Sequence, residues 1–239
     1  MALAATITEP ACALCRLLAL CGAWRLAQAR AIVHLQPSPT DTLPMPATTH
    51  LLYLHGFRSS PASAKATLMA RAVAQRHQQV LWCCPQLPPS PRQAMDEVAG
   101  LVAGWPREHM AVVGSSLGGF YASWVARQTG CKSVMLNPAV FPARDLARHI
   151  GAQTQWHQPE ASFYFEAAFV DELQQLADEN THAPGPELAL IAQGDEVLDW
   201  REMRDRYSRA QQIILPGNDH AISDFALHLD TVLGFLDLV

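Results

Sequence analysis

Short apolar runs at Leu51–Leu54, Val80–Cys84, Met110–Val113, Ser133–Leu136, Leu188–Ala192 and Gln212–Leu215 limit what this chain can become. Each is too short for a helix and is bounded by Gly, Pro or polar residues. Near-continuous apolar strands of this kind suit a parallel sheet buried on both faces. Helical patterns lie between them. Ser60 is placed to cap one helix with Pro61 at its first position. Ser90 and Pro91 repeat that arrangement, and Gln93 completes a capping box. Ala94, Val98, Leu101 and Val102 then mark one buried face. Gly118 to Gln128 reads as a helix ended by Gly130, and residues 201–210 and 221–238 are helical by pattern. Strand–helix alternation predicts a doubly wound α/β sheet with right-handed crossovers.

Two segments depart from the alternation. Residues 141–187 are too many for one crossover helix. They carry Phe165, Phe169, Leu173 and Leu176 at helical spacing, after an aromatic cluster of Trp156, Phe163, Tyr164 and Phe165. This is an inserted cap over the active end of the sheet or a tightly packed surface subdomain. Residues 1–46 form the other departure. Leu14, Leu17, Leu18 and Cys21 share one helical face, and Pro37, Pro39, Pro44 and Pro46 make an extended linker. A secretory signal is disfavoured, because no positive residue precedes the apolar part and Arg16 and Arg25 interrupt it. Met45 stands just before the first strand, so the 1–46 segment is expected to be an extension to an α/β domain over 47–239, or to lie upstream of an internal start.

Charged residues make up only 16% against 49% hydrophobic, which excludes a disordered chain. The net charge of −5 argues against a nucleic-acid partner, whose phosphates require clustered positive charge. No stretch reaches the length of a membrane span. Cys12-x-x-Cys15 lacks a second ligand pair, so no zinc site is expected. Cys83 and Cys84 read as core residues. The low cysteine density suits a reducing compartment, hence a cytoplasmic location.

Chemistry concentrates at Gly114-Ser115-Ser116-Leu117-Gly118. An apolar strand enters this G-x-S-x-G and a helical pattern leaves it, as a nucleophile elbow at Ser116 requires. A serine needs a base within hydrogen-bond reach, and the base needs an orienting carboxylate. In such a fold the acid and then the base follow the nucleophile along the chain. Asp195, one glycine after the strand Leu188–Ala192, is the leading acid. Asp199 is the runner-up and a candidate helix N-cap, and Glu196 is expected to point away if Asp195 points in. His220 lies on the Gly-containing loop after Gln212–Leu215, and a helix N-terminus there would favour its neutral form. His34, His50, His77, His109, His149, His157, His182 and His228 lack such a setting. Oxyanion donors are expected from the backbone N–H of Leu117 and from Phe57, in the loop His55–Ser60 after the first strand. His55 is expected to hold that loop, Gly56 to let it turn, and Arg58 to meet an anionic substrate group or solvent.

The segments LLYLHGFRSSP (51–61), VVGSSLGGFYA (112–122), LNPAV (136–140), GDEVLD (194–199) and NDHAISDF (218–225) resemble the small bacterial YqiA-type esterases of the α/β-hydrolase superfamily. The resemblance spans about residues 50–237. It implies Ser116 as nucleophile, Asp195 as acid and His220 as base, acting on small-molecule carboxylic esters or acyl thioesters without a metal or organic cofactor. The alternatives are an acyl-CoA thioesterase with the same triad and a binding protein on a hydrolase scaffold. The sequence carries no signature of a particular oligomeric state.

Overall fold

The computed structural model describes residues 48–157, 160–179 and 183–238. The expected N-terminal helix, the expected proline-rich linker, Met45 and His182 lie outside the described residues. Within them the strands are β1 (His50–Leu54), β2 (Leu81–Cys83), β3 (Met110–Ser115), β4 (Lys132–Leu136), β5 (Gly151–Thr154), β6 (Ser162–Phe165), β7 (Glu187–Ala192) and β8 (Gln211–Leu215). Every apolar run read from the sequence becomes a strand. They form one parallel sheet in the order β2-β1-β3-β4-β7-β8. β5 and β6 make a separate antiparallel hairpin.

The helices are α1 (Ala64–Arg76), α2 (Pro91–Val102), α3 (Leu117–Thr129), α4 (Pro142–Leu146), α5 (Ala167–Asp178), α6 (Trp200–Arg206) and α7 (Leu229–Phe235). Successive strand residues face opposite ways, so β1 feeds two cores. Leu51 and Tyr53 pack with Met69 of α1 and with Val232 and Leu233 of α7. Leu52 and Leu54 pack with Val98 of α2, Val125 of α3 and Leu173 of α5. Leu51–Leu54 are fully buried, which contributes about 2 kcal/mol per large side chain. The order of strands reverses at β1, since β2 lies to one side of it and β3 pairs in parallel on the other. The crevice above the carboxyl ends of these two strands is where open α/β sheets place ligands.

Several local expectations shift. Ser60 does not cap α1. Its Oγ accepts from Ala62 N (3.2 Å) and its carbonyl from Ser63 N (3.0 Å), a turn with Pro61 in second place, and the helix starts one turn later. Ser90 does cap α2, its Oγ accepting from Gln93 N at 3.2 Å. The Gln93 side chain turns instead to Glu97 (2.9 Å), and Met95 rather than Leu101 joins the buried face. Phe165 is buried, but as the last residue of β6 rather than on α5. Cys83 and Cys84 are half-buried at the sheet's edge.

The inserted segment is fastened to the body by polar contacts as well as by Leu173 and Leu176. Glu172 of α5 accepts from Ser90 Oγ (2.7 Å) and from Arg92 N (3.0 Å), placing a carboxylate at the N-terminus of α2. Glu179 pairs with Arg92 (2.8 Å) and accepts from Trp124 Nε1 (2.9 Å). Among the described residues no helix is long and apolar enough to cross a membrane.

Candidate active site

Ser116 sits between β3 and α3 at φ 57°, ψ −122°. That conformation is costly for a residue with a Cβ and persists only where its surroundings over-determine it. Here Ser116 N donates to Leu136 O (3.0 Å), while Ser116 O accepts from Gly119 N (2.9 Å) and Ala139 N (3.0 Å). The turn is tight enough to demand glycine on both sides. A Cβ on Gly114 would lie 1.9 Å from Gly118 O, and one on Gly118 would lie 2.0 Å from Leu54 O. The sharp turn lifts the Ser116 hydroxyl out of the sheet.

His220 meets that hydroxyl. Its Nε2 lies 3.1 Å from Ser116 Oγ, and its Nδ1 lies 2.7 Å from Asp195 Oδ2. The Asp195 side chain is fully enclosed, and its other oxygen accepts from Val197 N and Leu198 N, both at 2.8 Å. All of its acceptor strength is therefore directed at backbone N–H groups and the imidazole. Asp199, the alternative acid, caps α6 by accepting from Arg201 N at 2.9 Å. The three predicted residues converge although the chain separates them widely.

The loop that carries His220 differs from the expected helix start. Residues 219–228 form tight turns, Ile222 has φ 47°, and α7 begins only at Leu229. Among the described residues no helix begins at His220. Asp219 instead wires the loop, accepting from Ser223 N (2.9 Å) and Ser223 Oγ (2.6 Å), and these bonds hold its carboxyl below the usual range. Asn218 bonds to Asp224. Lys65 of α1 donates to Ala221 O at 2.5 Å. Burial, partly offset by the charges of Asp219 and Asp195, pushes its ammonium down to about 8.

Two positioning residues escaped the sequence reading. Glu196 does not point away, since its Oε2 accepts from the His220 backbone N at 3.0 Å. Asn137, fully buried, donates from Nδ2 to Asp219 O and His220 O (3.0 Å each) and accepts from Ala192 N at 2.7 Å. One amide thus ties the end of β7 to the histidine loop. LNPAV marked the spot, but no local pattern revealed those partners.

The loop after β1 supplies the opposite wall. A Cβ placed on Gly56 would lie 3.2 Å from Ser116 Cβ, so this backbone runs beside the serine. Among the described residues neither Phe57 N–H nor Leu117 N–H has an acceptor. Leu87 N donates to His55 Nε2 (3.1 Å), which leaves the proton on Nδ1 to donate to Gly56 O (3.0 Å). Burial pushes His55 below its ordinary pKa, against that bond, so it holds the loop as a neutral ring. A cavity of about 320 Å³ opens here, walled by Phe57, Leu87, Pro88, Leu117, Tyr121 and Phe163. Its lining reaches Leu117 but includes none of the three converging residues, and neither does that of a larger cavity of about 560 Å³ bordered by α3, α4, α5 and α6. Among the described residues no three His, Cys, Asp or Glu side chains are grouped to hold a metal. Burial raises the thiols of Cys84 and Cys131, to about 12 and about 11, which makes them poor competing nucleophiles.

The family described as Uncharacterised protein family (UPF0227) matches residues 50–237. The chain belongs to this family. UPF0227 is the YqiA-type group that the five sequence motifs resemble, and the match contains all of them. Its fold is that of the α/β-hydrolases. This UPF0227 chain is similar to Est1E from Butyrivibrio proteoclasticus, with 15% identity and a TM-score of 0.57 over 82% of this chain and 87% of that one. It is similar to the esterase domain of a Rhodothermus marinus protein, with 17% identity and a TM-score of 0.59 over 83% and 89%. Mouse alpha/beta hydrolase domain-containing protein 10 aligns at 13% identity and a TM-score of 0.61 over 80% and 91%. At these identities the likeness is one of fold.

Proposed function

We propose that this protein is a serine hydrolase that cleaves small-molecule carboxylic esters, with Ser116 as nucleophile, His220 as general base and Asp195 as its orienting acid. The observation that carries the reading is the unbroken line from Ser116 Oγ through both nitrogens of His220 to an enclosed Asp195, together with two N–H donors that have no acceptor among the described residues. With its Nδ1 proton directed at Asp195, His220 presents an unprotonated Nε2 to the serine hydroxyl. Ser116 Oγ attacks the ester carbonyl as its proton passes to Nε2. The carbonyl oxygen takes up negative charge toward Phe57 N–H and Leu117 N–H, donors that need no reorganisation at that moment. His220 then gives the proton to the departing alcohol, and water hydrolyses the acyl-enzyme by the same route. The acyl group would occupy the apolar cavity beside Leu117.

A fluorophosphonate probe tests this directly. Purified protein is expected to hydrolyse p-nitrophenyl esters and to carry the probe on the peptide containing Ser116. Absence of both turnover and labelling, or labelling elsewhere, overturns the reading. Acyl thioesters belong in the same panel to rank the two leaving groups. A second expectation separates the acids. Asp195→Asn should lower kcat about a thousand- to ten-thousandfold by upsetting the imidazole tautomer. Asp199→Asn should stay within about twofold, because asparagine caps a helix as well as aspartate does. Equal losses in steady-state kinetics would remove Asp195 from the mechanism.

A further inference from the structure

Within the loop His55–Ser60, the residue with positive φ is not Gly56 but Arg58, at 60°. Left-handed backbone costs an L-residue about 1–2 kcal/mol, so something must hold it. Arg58 follows Phe57 directly, and everything that grips it comes from the 151–165 hairpin. Its Nε donates to Thr154 O at 2.7 Å and its Nη2 to Thr154 Oγ1 at 3.0 Å. Its guanidinium lies 4.1 Å from the centre of the Trp156 ring, and Trp156 N donates to Arg58 O at 2.8 Å. Side chain and backbone of one residue are thus clasped from one side. The Phe57 ring is fixed in the same direction, edge-on to Phe163 (5.9 Å) and Phe165 (5.1 Å) and beside His149 (5.6 Å).

Between those two anchors lies the Phe57 backbone, whose N–H has no acceptor among the described residues. We propose that Arg58, clasped by Thr154 and Trp156, is a positioning residue that aims the Phe57 N–H at the developing oxyanion, which makes the inserted hairpin part of the catalytic apparatus. The inference rests on the esterase reading above. Arg58 borders the cavity beside Leu117, but its guanidinium is directed at Thr154 and Trp156, so its action on the reaction runs through the Phe57 peptide. Without the clasp the backbone at Arg58 relaxes toward negative φ and carries the adjoining peptide with it. A donor displaced by a fraction of an ångström weakens a bond that matures only in the transition state, so the loss falls on kcat and leaves KM alone.

The experiment is steady-state hydrolysis of p-nitrophenyl butyrate by Arg58→Ala, Trp156→Ala and the double variant, with Ser116→Ala alongside. Arg58→Ala is expected to lower kcat about ten- to hundredfold, less than outright loss of an oxyanion donor, with KM nearly unchanged. Trp156→Ala is expected to lower kcat by a smaller factor. The double variant should be no worse than Arg58→Ala alone, because both substitutions open the same clasp. Trp156 is 64% exposed, so its variant folds and carries the test if Arg58→Ala does not. Unchanged kcat in the variants that fold, a loss confined to KM, or independent multiplying losses overturn the inference. Activity that survives Ser116→Ala would instead sink the esterase reading itself.

Discussion

Ser116→Ala is expected to lower ester turnover by purified protein about 10⁵- to 10⁶-fold, the largest effect of any single substitution in the molecule. The fold should not notice. Alanine keeps the Cβ and the strained φ of 57° that Leu136, Gly119 and Ala139 enforce through backbone bonds. The hydroxyl's contact in the free protein is His220 Nε2, a bond whose net worth is about 1 kcal/mol. Melting temperature and far-UV circular dichroism should therefore match those of the parent. His220→Ala should fall nearly as far, and Ser116→Ala/His220→Ala no further, since the pair acts as a unit. A double variant slower by the product of the two single losses would mean that the two side chains contribute independently, and the proton-transfer line would be wrong.

The sheet was legible because its information is local. Each apolar run is short, nearly unbroken and closed by residues that stop strands, and none of the six was misplaced by more than two residues at either end. The tight turn at Ser116 was legible for a similar reason, since the close approach of Gly114 to Gly118 spans five residues of chain. Asp195 and His220 followed from a rule about chain order applied to strands already in place. The 221–238 segment failed for an instructive reason. Ile222, Phe225, Leu229 and Leu233 do bury at helical spacing. Asp219, however, captures the Ser223 N–H and hydroxyl, and Ile222 turns to positive φ, so the chain makes tight turns before α7. Side-chain oxygens competing for local backbone defeat a periodicity argument.

Glu196 failed differently. The expectation that it points away from Asp195 assumes strand geometry, in which neighbours alternate. Asp195 N already donates to Ala192 O at 3.4 Å, and Asp195 Oδ1 gathers Val197 N and Leu198 N, so the chain has left the strand and is turning. In a turn both carboxylates reach His220, one at the ring and one at the backbone. The Arg58 clasp and the Asn137 bonds were beyond reach for a third reason. Their partners lie between about 50 and 100 residues away in sequence, and only the assembled sheet brings them close.

Asn137 therefore carries the second large expectation. It sits at φ 44°, which asparagine tolerates better than most residues. Asn137→Ala strands the buried Ala192 N–H and removes the donor serving the part-buried carbonyls of Asp219 and His220. At about 1–3 kcal/mol for the buried N–H and less for each part-buried carbonyl, the loss is about 2–4 kcal/mol, a large share of the 5–15 kcal/mol typical of a domain. Urea denaturation should show that loss, and turnover below the new melting point should fall as well, because the same amide ties the His220 loop to β7, which leads into Asp195. Asn137→Asp separates this account from one of cavity volume alone. The carboxylate keeps an acceptor for Ala192 N but turns an oxygen toward two carbonyl oxygens, so at neutral pH it should be no better than alanine. Protonation restores a donor, which raises that carboxyl's pKa in the fold. Stability conferred by a raised pKa is present at low pH and lost as pH rises, so Asn137→Asp should recover on acidification relative to Asn137→Ala. Parallel pH dependence of the two variants would mean that the bonds to Asp219 and His220 do not hold the site together.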